Sequence, residues 1–186
     1  MAVIRIVSPS DPRLRDQLLR LGPEDRALRF GGAVSDRGVE EHCRRLVQAG
    51  RGALVLGAFA GGALVGSAEL WFDAEPAPRG CEAAFAVDAP WRGRGIGTAL
   101  LRRAVLVARN RWVKRLRVVC MAENRRMQRL ARGLAGELRF RDGCAEAEVV
   151  LPFPSWTSLW AEAAMEAQAV AWPGLALPDP AAPAPA

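Results

Sequence analysis

The chain has 186 residues, 51% of them hydrophobic and 25% charged, with 26 Lys and Arg against 20 Asp and Glu. That length and apolar content suit one core-forming domain with at most an appendage. No run of about 20 apolar residues occurs, which excludes a membrane-spanning helix, and four dispersed cysteines with one histidine argue against a Cys/His metal site, so no metal is expected.

Val3-Ile4-Arg5-Ile6-Val7 alternates and predicts a first strand. Asp11-Pro12 opens a helix, with Asp11 as cap and Pro12 in the first turn; Leu14, Leu18, Leu19 and Leu21 supply its stripe and Gly22 ends it. Pro23 starts a short second piece ending in Leu28-Arg29-Phe30. Ser35 caps a further helix whose buried face would be Val39, Cys43, Leu46 and Val47, with His42 on its surface and Gly50 at its close. The apolar runs 53–59 and 64–72 read as two strands of a hairpin, turned by Ala60-Gly61-Gly62-Ala63. Residues 76–80 are a loop, and Cys81 to Val87 is the next strand.

After that strand comes Val87-Asp88-Ala89-Pro90-Trp91-Arg92-Gly93-Arg94-Gly95-Ile96-Gly97-Thr98, followed by an amphipathic helix from near Thr98. The glycines permit positive φ, so the amides of Gly93, Gly95, Ile96 and Gly97 can point together into a helix N-terminus. Unpaired N–H groups and a helix dipole make an anion cradle, here read as a pyrophosphate site. The stretch lacks the lysine of a Walker loop. It also lies mid-chain with no acid between Arg115 and Met121, unlike a dinucleotide fingerprint. Between Trp91 and Arg132 stand 13 Lys and Arg and one acid, Glu123, a charge balance suited to a polyphosphorylated small ligand.

The helix after the loop would bury Leu101, Ala104, Val105, Ala108 and Trp112, with Arg102, Arg103 and Arg109 outward. Leu116 to Met121 is a strand parallel to 81–87, since a helix intervenes. Asn124 caps a helix with Met127, Leu130, Ala131 and Leu134 as its stripe, ended by Gly133 or Gly136. Residues 137–141 and 145–151 form a hairpin around Arg141-Asp142-Gly143. The order reads β-α-α-β-β-β-α-β-α-β-β over residues 1–153. Residues 154–172 predict an amphipathic helix with Trp156, Leu159, Trp160, Ala163 and Ala167 on one face, and Trp172 at its end. That helix can dock on its own domain, form a homodimer or meet a partner. Residues 173–186 are Pro/Ala-rich and expected to lack fixed structure.

Arg92, Gly95 and Gly97 fill Gln/Arg-x-x-Gly-x-Gly/Ala, and in this the chain resembles motif A of the GNAT superfamily of N-acyltransferases. The resemblance spans residues 3–151. It is most specific where Glu82-Ala83-Ala84-Phe85-Ala86-Val87, Trp91 to Gly97 and Ala122 to Met127 resemble the acetyltransferase domains of bacterial protein-lysine acetyltransferases, as does Leu28-Arg29-Phe30. It implies an α/β (α+β) fold, a mixed, mostly antiparallel sheet with one parallel pair around a CoA loop. It also implies acetyl-CoA as acyl donor, held by Phe85, Ala86, Val87, Arg92, Gly93, Arg94, Gly95, Ile96, Gly97, Thr98 and Asn124. Arg92 and Arg94 would meet the phosphates, and an N–H near Val87 would receive the oxyanion.

An attacking amine must lose a proton. The resemblance implies Glu82 as the base, and a partly buried carboxylate beside Cys81, Ala83 and Phe85 would have a raised pKa. Glu69 on the neighbouring strand is the runner-up; without that role it reads as a solvated residue. The family's general-acid tyrosine falls at Ala131, and the chain has no tyrosine. Cys120 reads as a core thiol. The expected activity is transfer of an acyl group to a primary amine, on a protein lysine or a small molecule, in the cytoplasm, where thiols stay reduced. No nucleic-acid partner is expected, because the arginines sit by a phosphate loop without interleaved aromatics. The rival reading is a non-catalytic acyl-CoA sensor.

Overall fold

The structure is a computed structural model that describes residues 2–73, 80–135 and 138–171. The expectations for 74–79, for Gly136 as a helix end, for the Leu134 side chain, for Trp172 and for 173–186 lie outside the described residues. A seven-stranded sheet runs β1-β2-β3-β4-β5-β7-β6. Its strands are β1 Val3–Val7, β2 Ala53–Ala60, β3 Ala63–Phe72, β4 Gly80–Val87, β5 Arg115–Met121, β6 Arg139–Arg141 and β7 Cys144–Val150. All neighbours pair antiparallel except β4 and β5, which are parallel as expected from the intervening helix.

The helices are α1 Pro12–Leu19, α2 Pro23–Phe30, α3 Asp36–Gln48, α4 Ile96–Asn110, α5 Arg125–Ala135 and α6 Trp156–Ala171. Their starts follow the sequence signals. The Asp11 carboxylate accepts from the Arg13 amide at 3.0 Å, and the Ser35 hydroxyl from the Gly38 amide at 3.3 Å. The 23–30 piece is a full helix, ended by Gly31 at φ 76°.

One core lies between the sheet and α4–α5, built on Leu56, Leu70, Leu100, Val107 and Leu116. The other lies under α1–α3, built on Leu14, Leu18, Val39, Leu46 and Val55. Burying each such side chain contributes about 1.5–3 kcal/mol, which is why the apolar stripes select the helix faces.

Three expectations fail. On α3 the buried stripe is Val39, His42 and Leu46, while Val47 is 49% exposed and Cys43 half-buried. His42 shares the i, i+3, i+7 face, and a buried carboxylate receives its ring. On α4, Arg103 is 3% exposed and points inward. Trp112 lies beyond the helix at φ 62° and is 66% exposed. The helix α6 does dock on its own domain, through its polar face, so Trp156 and Trp160 point outward at 82% and 72% exposure. Four polar groups of α4 and its C-cap explain that orientation. Arg103 pairs with Glu166, Arg111 with Glu162 at 2.9 Å, and Asn110 Nδ2 donates to Glu162 at 2.7 Å. Arg109 donates to the Phe153 carbonyl at 2.9 Å. Once Arg103 is buried it must be paired, and the carboxylates of α6 supply that pairing.

Candidate active site

The β4–β5 ladder covers only Gly80–Arg115, Cys81–Leu116 and Glu82–Arg117, although β4 runs on to Val87 and β5 to Met121. The strands part after Glu82, and the β4 backbone groups that face β5 beyond that rung have no ladder partner. A cavity of about 620 Å³ occupies the wedge. Its walls are Phe85, Ala86 and Val87 of β4, the glycine loop, the first turns of α5, and Leu21, Asp25, Leu28 and Arg29 from the α1–α2 side.

The loop is shaped by local backbone chemistry. Gly93 and Gly95 have φ 74° and 76°, left-handed values that any side chain would strain. Gly95 is the N-cap of α4, with no capping side chain and no acid in the first turn. The first amides of α4 therefore meet the cavity unneutralised, at the positive end of a 15-residue helix dipole. Asp88 anchors the loop's start, accepting from Gln17 Nε2 at 2.8 Å and Arg20 Nη2 at 2.9 Å. Trp91, 6% exposed, anchors its middle in the core. Gly66 on β3 faces Val87, and a methyl there would come 3.0 Å from the Ala86 carbonyl, so this close approach needs glycine.

Of the expected cofactor residues, Phe85, Ala86, Val87, Arg92, Gly93, Gly95, Ile96, Gly97, Thr98 and Asn124 line the cavity. Arg94 is not among its walls; its guanidinium lies over the Trp91 ring at 5.1 Å. Asn124 Oδ1 accepts from the Met127 amide at 3.0 Å, so the residue caps α5 while also lining the cavity. Ala131, at the tyrosine position, is 1% exposed.

The carboxylates differ in setting. Glu82 sits on the last β4–β5 rung, opposite Trp71 of β3, and is exposed rather than partly buried. It is not among the cavity walls. Asp25, which the sequence did not single out, lines the cavity and pairs with Arg92 at 2.7 Å and Arg126 at 3.7 Å. Glu69 is 0% exposed, so its reading as a solvated residue is corrected. Its Oε2 lies 2.6 Å from Arg29 Nη2 and 2.7 Å from His42 Nε2, and Trp71 Nε1 donates to it at 3.3 Å. Burial pushes the Glu69 carboxyl up, but Arg29 and His42 outweigh burial and hold it at about 2.

Burial, with Asp73 and Glu82 nearby, pushes the Cys81 thiol up to about 12, and burial also raises Cys120. Neither is a ready nucleophile. Among the described residues no group of three or more His, Cys, Asp or Glu could hold a metal, and no helix is long and apolar enough to cross a membrane.

Nothing in the sequence pattern near α2 pointed to Asp25 or to the Arg29–Glu69–His42 cluster. The partners come from α2, α3 and β3, with Glu69 27 residues from His42 and 40 from Arg29, and no local motif encodes such a meeting.

The model of the acetyltransferase (GNAT) family matches residues 23–135. The chain belongs to the GNAT acetyltransferase family. Solved structures agree on the fold of this GNAT protein. The GNAT domain of S. lividans PAT is 23% identical, with 81% of this chain and 90% of that one covered and a TM-score of 0.68. yncA from Salmonella typhimurium, solved with its cofactor acetyl-CoA, is 17% identical over 83% and 96% of the two chains, with a TM-score of 0.61. A cAMP-binding acyltransferase from Mycobacterium smegmatis is 22% identical, with 90% of this chain and 51% of that one covered and a TM-score of 0.58. A search of curated proteins finds no match.

Proposed function

We propose that the protein transfers an acetyl group from acetyl-CoA directly to a primary amine, with Glu82 as general base. One observation carries the reading: the uncapped, acid-free N-terminus of α4 opens into the wedge where β4 and β5 part. The pyrophosphate lies on the amides of Gly93 to Thr98, which hold an anion without side-chain charge. The pantetheine arm runs into the wedge past Phe85, Ala86 and Val87, where β4 amides freed from the ladder can bond it or the tetrahedral oxyanion. Asn124 meets the same arm. Arg92, now shared with Asp25, turns to the phosphates, and Arg94 adds charge from its perch on Trp91.

Glu82 fits the base role by position and by elimination. It stands where the ladder ends, and its exposure lets the abstracted proton pass to water. Glu69 is locked as a carboxylate by Arg29 and His42, and Asp25 ties α2 to the glycine loop through Arg92. No tyrosine is present to protonate the leaving thiolate, so water does so; a CoA thiolate leaves without much help. The acceptor approaches from the α1–α3 side; the resemblance of Glu82 to Val87, Trp91 to Gly97 and Ala122 to Met127 to protein-lysine acetyltransferase domains supports a protein lysine, with a small amine as the alternative. Four cysteines without a disulfide support the cytoplasm as its compartment.

The test is thiol release from acetyl-CoA against a panel of amines and proteins, for the native chain and Glu82→Gln. Turnover that Glu82→Gln abolishes while acetyl-CoA binding persists supports the reading; equal turnover in both ends the assignment of Glu82. A second reading, a non-catalytic acyl-CoA sensor, is favoured by the buried Ala131 in place of a hydroxyl. Tight acetyl-CoA binding with no turnover on any acceptor would select it.

A further inference from the structure

We propose that the outward face of α6 is a two-fold interface between two copies of this chain. The charges of α6 are all spent inward: Glu162 and Glu166 are paired with Arg111 and Arg103 of α4. Ser158 is buried as well, with its hydroxyl on Asn110 Oδ1. What remains outside is a stripe without a single charge, on a chain of net charge +6. Two copies repel each other elsewhere on their surfaces; here they can meet without a like-charge penalty.

The stripe is graded in size. Trp156, Trp160, Ala163 and Ala167 are all exposed and follow one another at intervals of four, three and four residues, one line along the helix. The large side chains occupy the N-terminal half and the small ones the C-terminal half. A parallel pairing sets indole against indole. An antiparallel pairing sets Trp156 against Ala167 of the second copy and Trp160 against Ala163, so each bulky ring meets a hollow. An isologous two-fold contact produces this arrangement twice. Helices pack this way at crossing angles of about 20° with interdigitated side chains.

The area is sufficient. Trp112 and Phe153, each 66% exposed with ring centroids 6.1 Å apart, add apolar surface at the entry to α6, edged by the Lys114 ammonium 4.8 Å over the Phe153 ring. With aromatic side chains of 150–250 Å² each, these two and the indoles of α6 expose on the order of 400–700 Å². Leu159 and the alanines bring this close to the roughly 800 Å² per partner of a standard interface. A bare patch of this size on a monomer would itself be at the upper end for soluble proteins.

The experiment is sedimentation equilibrium or light scattering of the full chain across the micromolar range, beside Trp160→Glu and Ala167→Trp, with circular dichroism and acetyl-CoA binding as checks of folding. The expected result is a dimer for the native chain and a monomer for both variants, each still folded and binding acetyl-CoA. Ala167→Trp is the decisive arm. It adds apolar surface, so plain stickiness predicts tighter association, whereas the graded stripe predicts that the filled hollow separates the copies. A native chain that stays monomeric overturns the proposal. So does a chain that is monomeric in solution yet binds phosphatidylserine vesicles, which would assign the face to a membrane surface. A dimer that persists in Ala167→Trp overturns the antiparallel pairing.

Discussion

The cofactor side and the acceptor side of the wedge are built from different materials. The cofactor side is backbone: Gly93 and Gly95 at positive φ, an uncapped helix start, and strand amides left free by a ladder that stops at Glu82. The side proposed for the acceptor is side chain: Asp25, Leu28 and Arg29 line it, Glu69 pairs with Arg29 and gathers His42 and Trp71 behind it, and Asp25 ties α2 to the loop through Arg92. Backbone donors hold a pyrophosphate whatever else the cavity contains. A side-chain cluster can be rewritten one residue at a time. On the proposed function, the cofactor site therefore belongs to the fold, and acceptor choice belongs to α1–α3.

This contrast predicts a separation of effects. Glu82→Gln, on the last β4–β5 rung, is expected to lower kcat by about 10²–10⁴-fold, the usual range for a lost general base, while the Kd for acetyl-CoA stays unchanged. Single-turnover kinetics and calorimetry check the two halves. Glu69→Ala leaves Arg29 buried without its partner and should destabilise the fold by about 3–5 kcal/mol in urea denaturation.

The same pair makes a pH prediction. Folding lowers the Glu69 carboxyl from 4.5 to about 2. The folded state binds the proton less readily than the unfolded chain, so the stabilisation is complete above about pH 4.5. It is lost as pH falls from there towards 2. The contribution is on the order of 3 kcal/mol. Urea titrations between pH 6 and 3 should show a steeper loss in the native chain than in Glu69→Gln.

Smaller effects are expected on the cofactor side. Gly95→Val places a branched side chain at φ 76° and should cost about 1–2 kcal/mol, read as about tenfold weaker acetyl-CoA binding if the loop still folds. Arg94→Ala removes a charge that sits on Trp91 rather than in the cavity wall. It should weaken binding less than tenfold, and less again at high salt.

Local signals were legible where one stretch of chain settles its own conformation. Asp11, Ser35 and Asn124 cap helices because a short polar side chain reaches an amide two or three residues on. Gly61-Gly62 and Asp142-Gly143 turn hairpins because they accept positive φ. The glycine loop was legible for the same reason. The parallel pair followed from the helix between its strands. Its early end at Glu82 was not readable, since nothing in the composition of β4 or β5 marks where a ladder stops.

By itself the sequence determined the order of elements apart from the full helix α2, the glycine turn before α4 and the membership in a fold built around it, because each depends on backbone geometry within a few residues. Only the tertiary structure decided where His42, Glu69, Arg103 and Trp156 lie. A charged or aromatic residue on a helix or strand can be buried or exposed with the same local conformation, and what settles it is a partner distant in sequence. Glu69 is buried because Arg29 and His42 reach it. Arg103 is buried because α6 brings Glu166, and that pairing, with the contacts of Arg109, Asn110 and Arg111, turns the tryptophans of α6 outward.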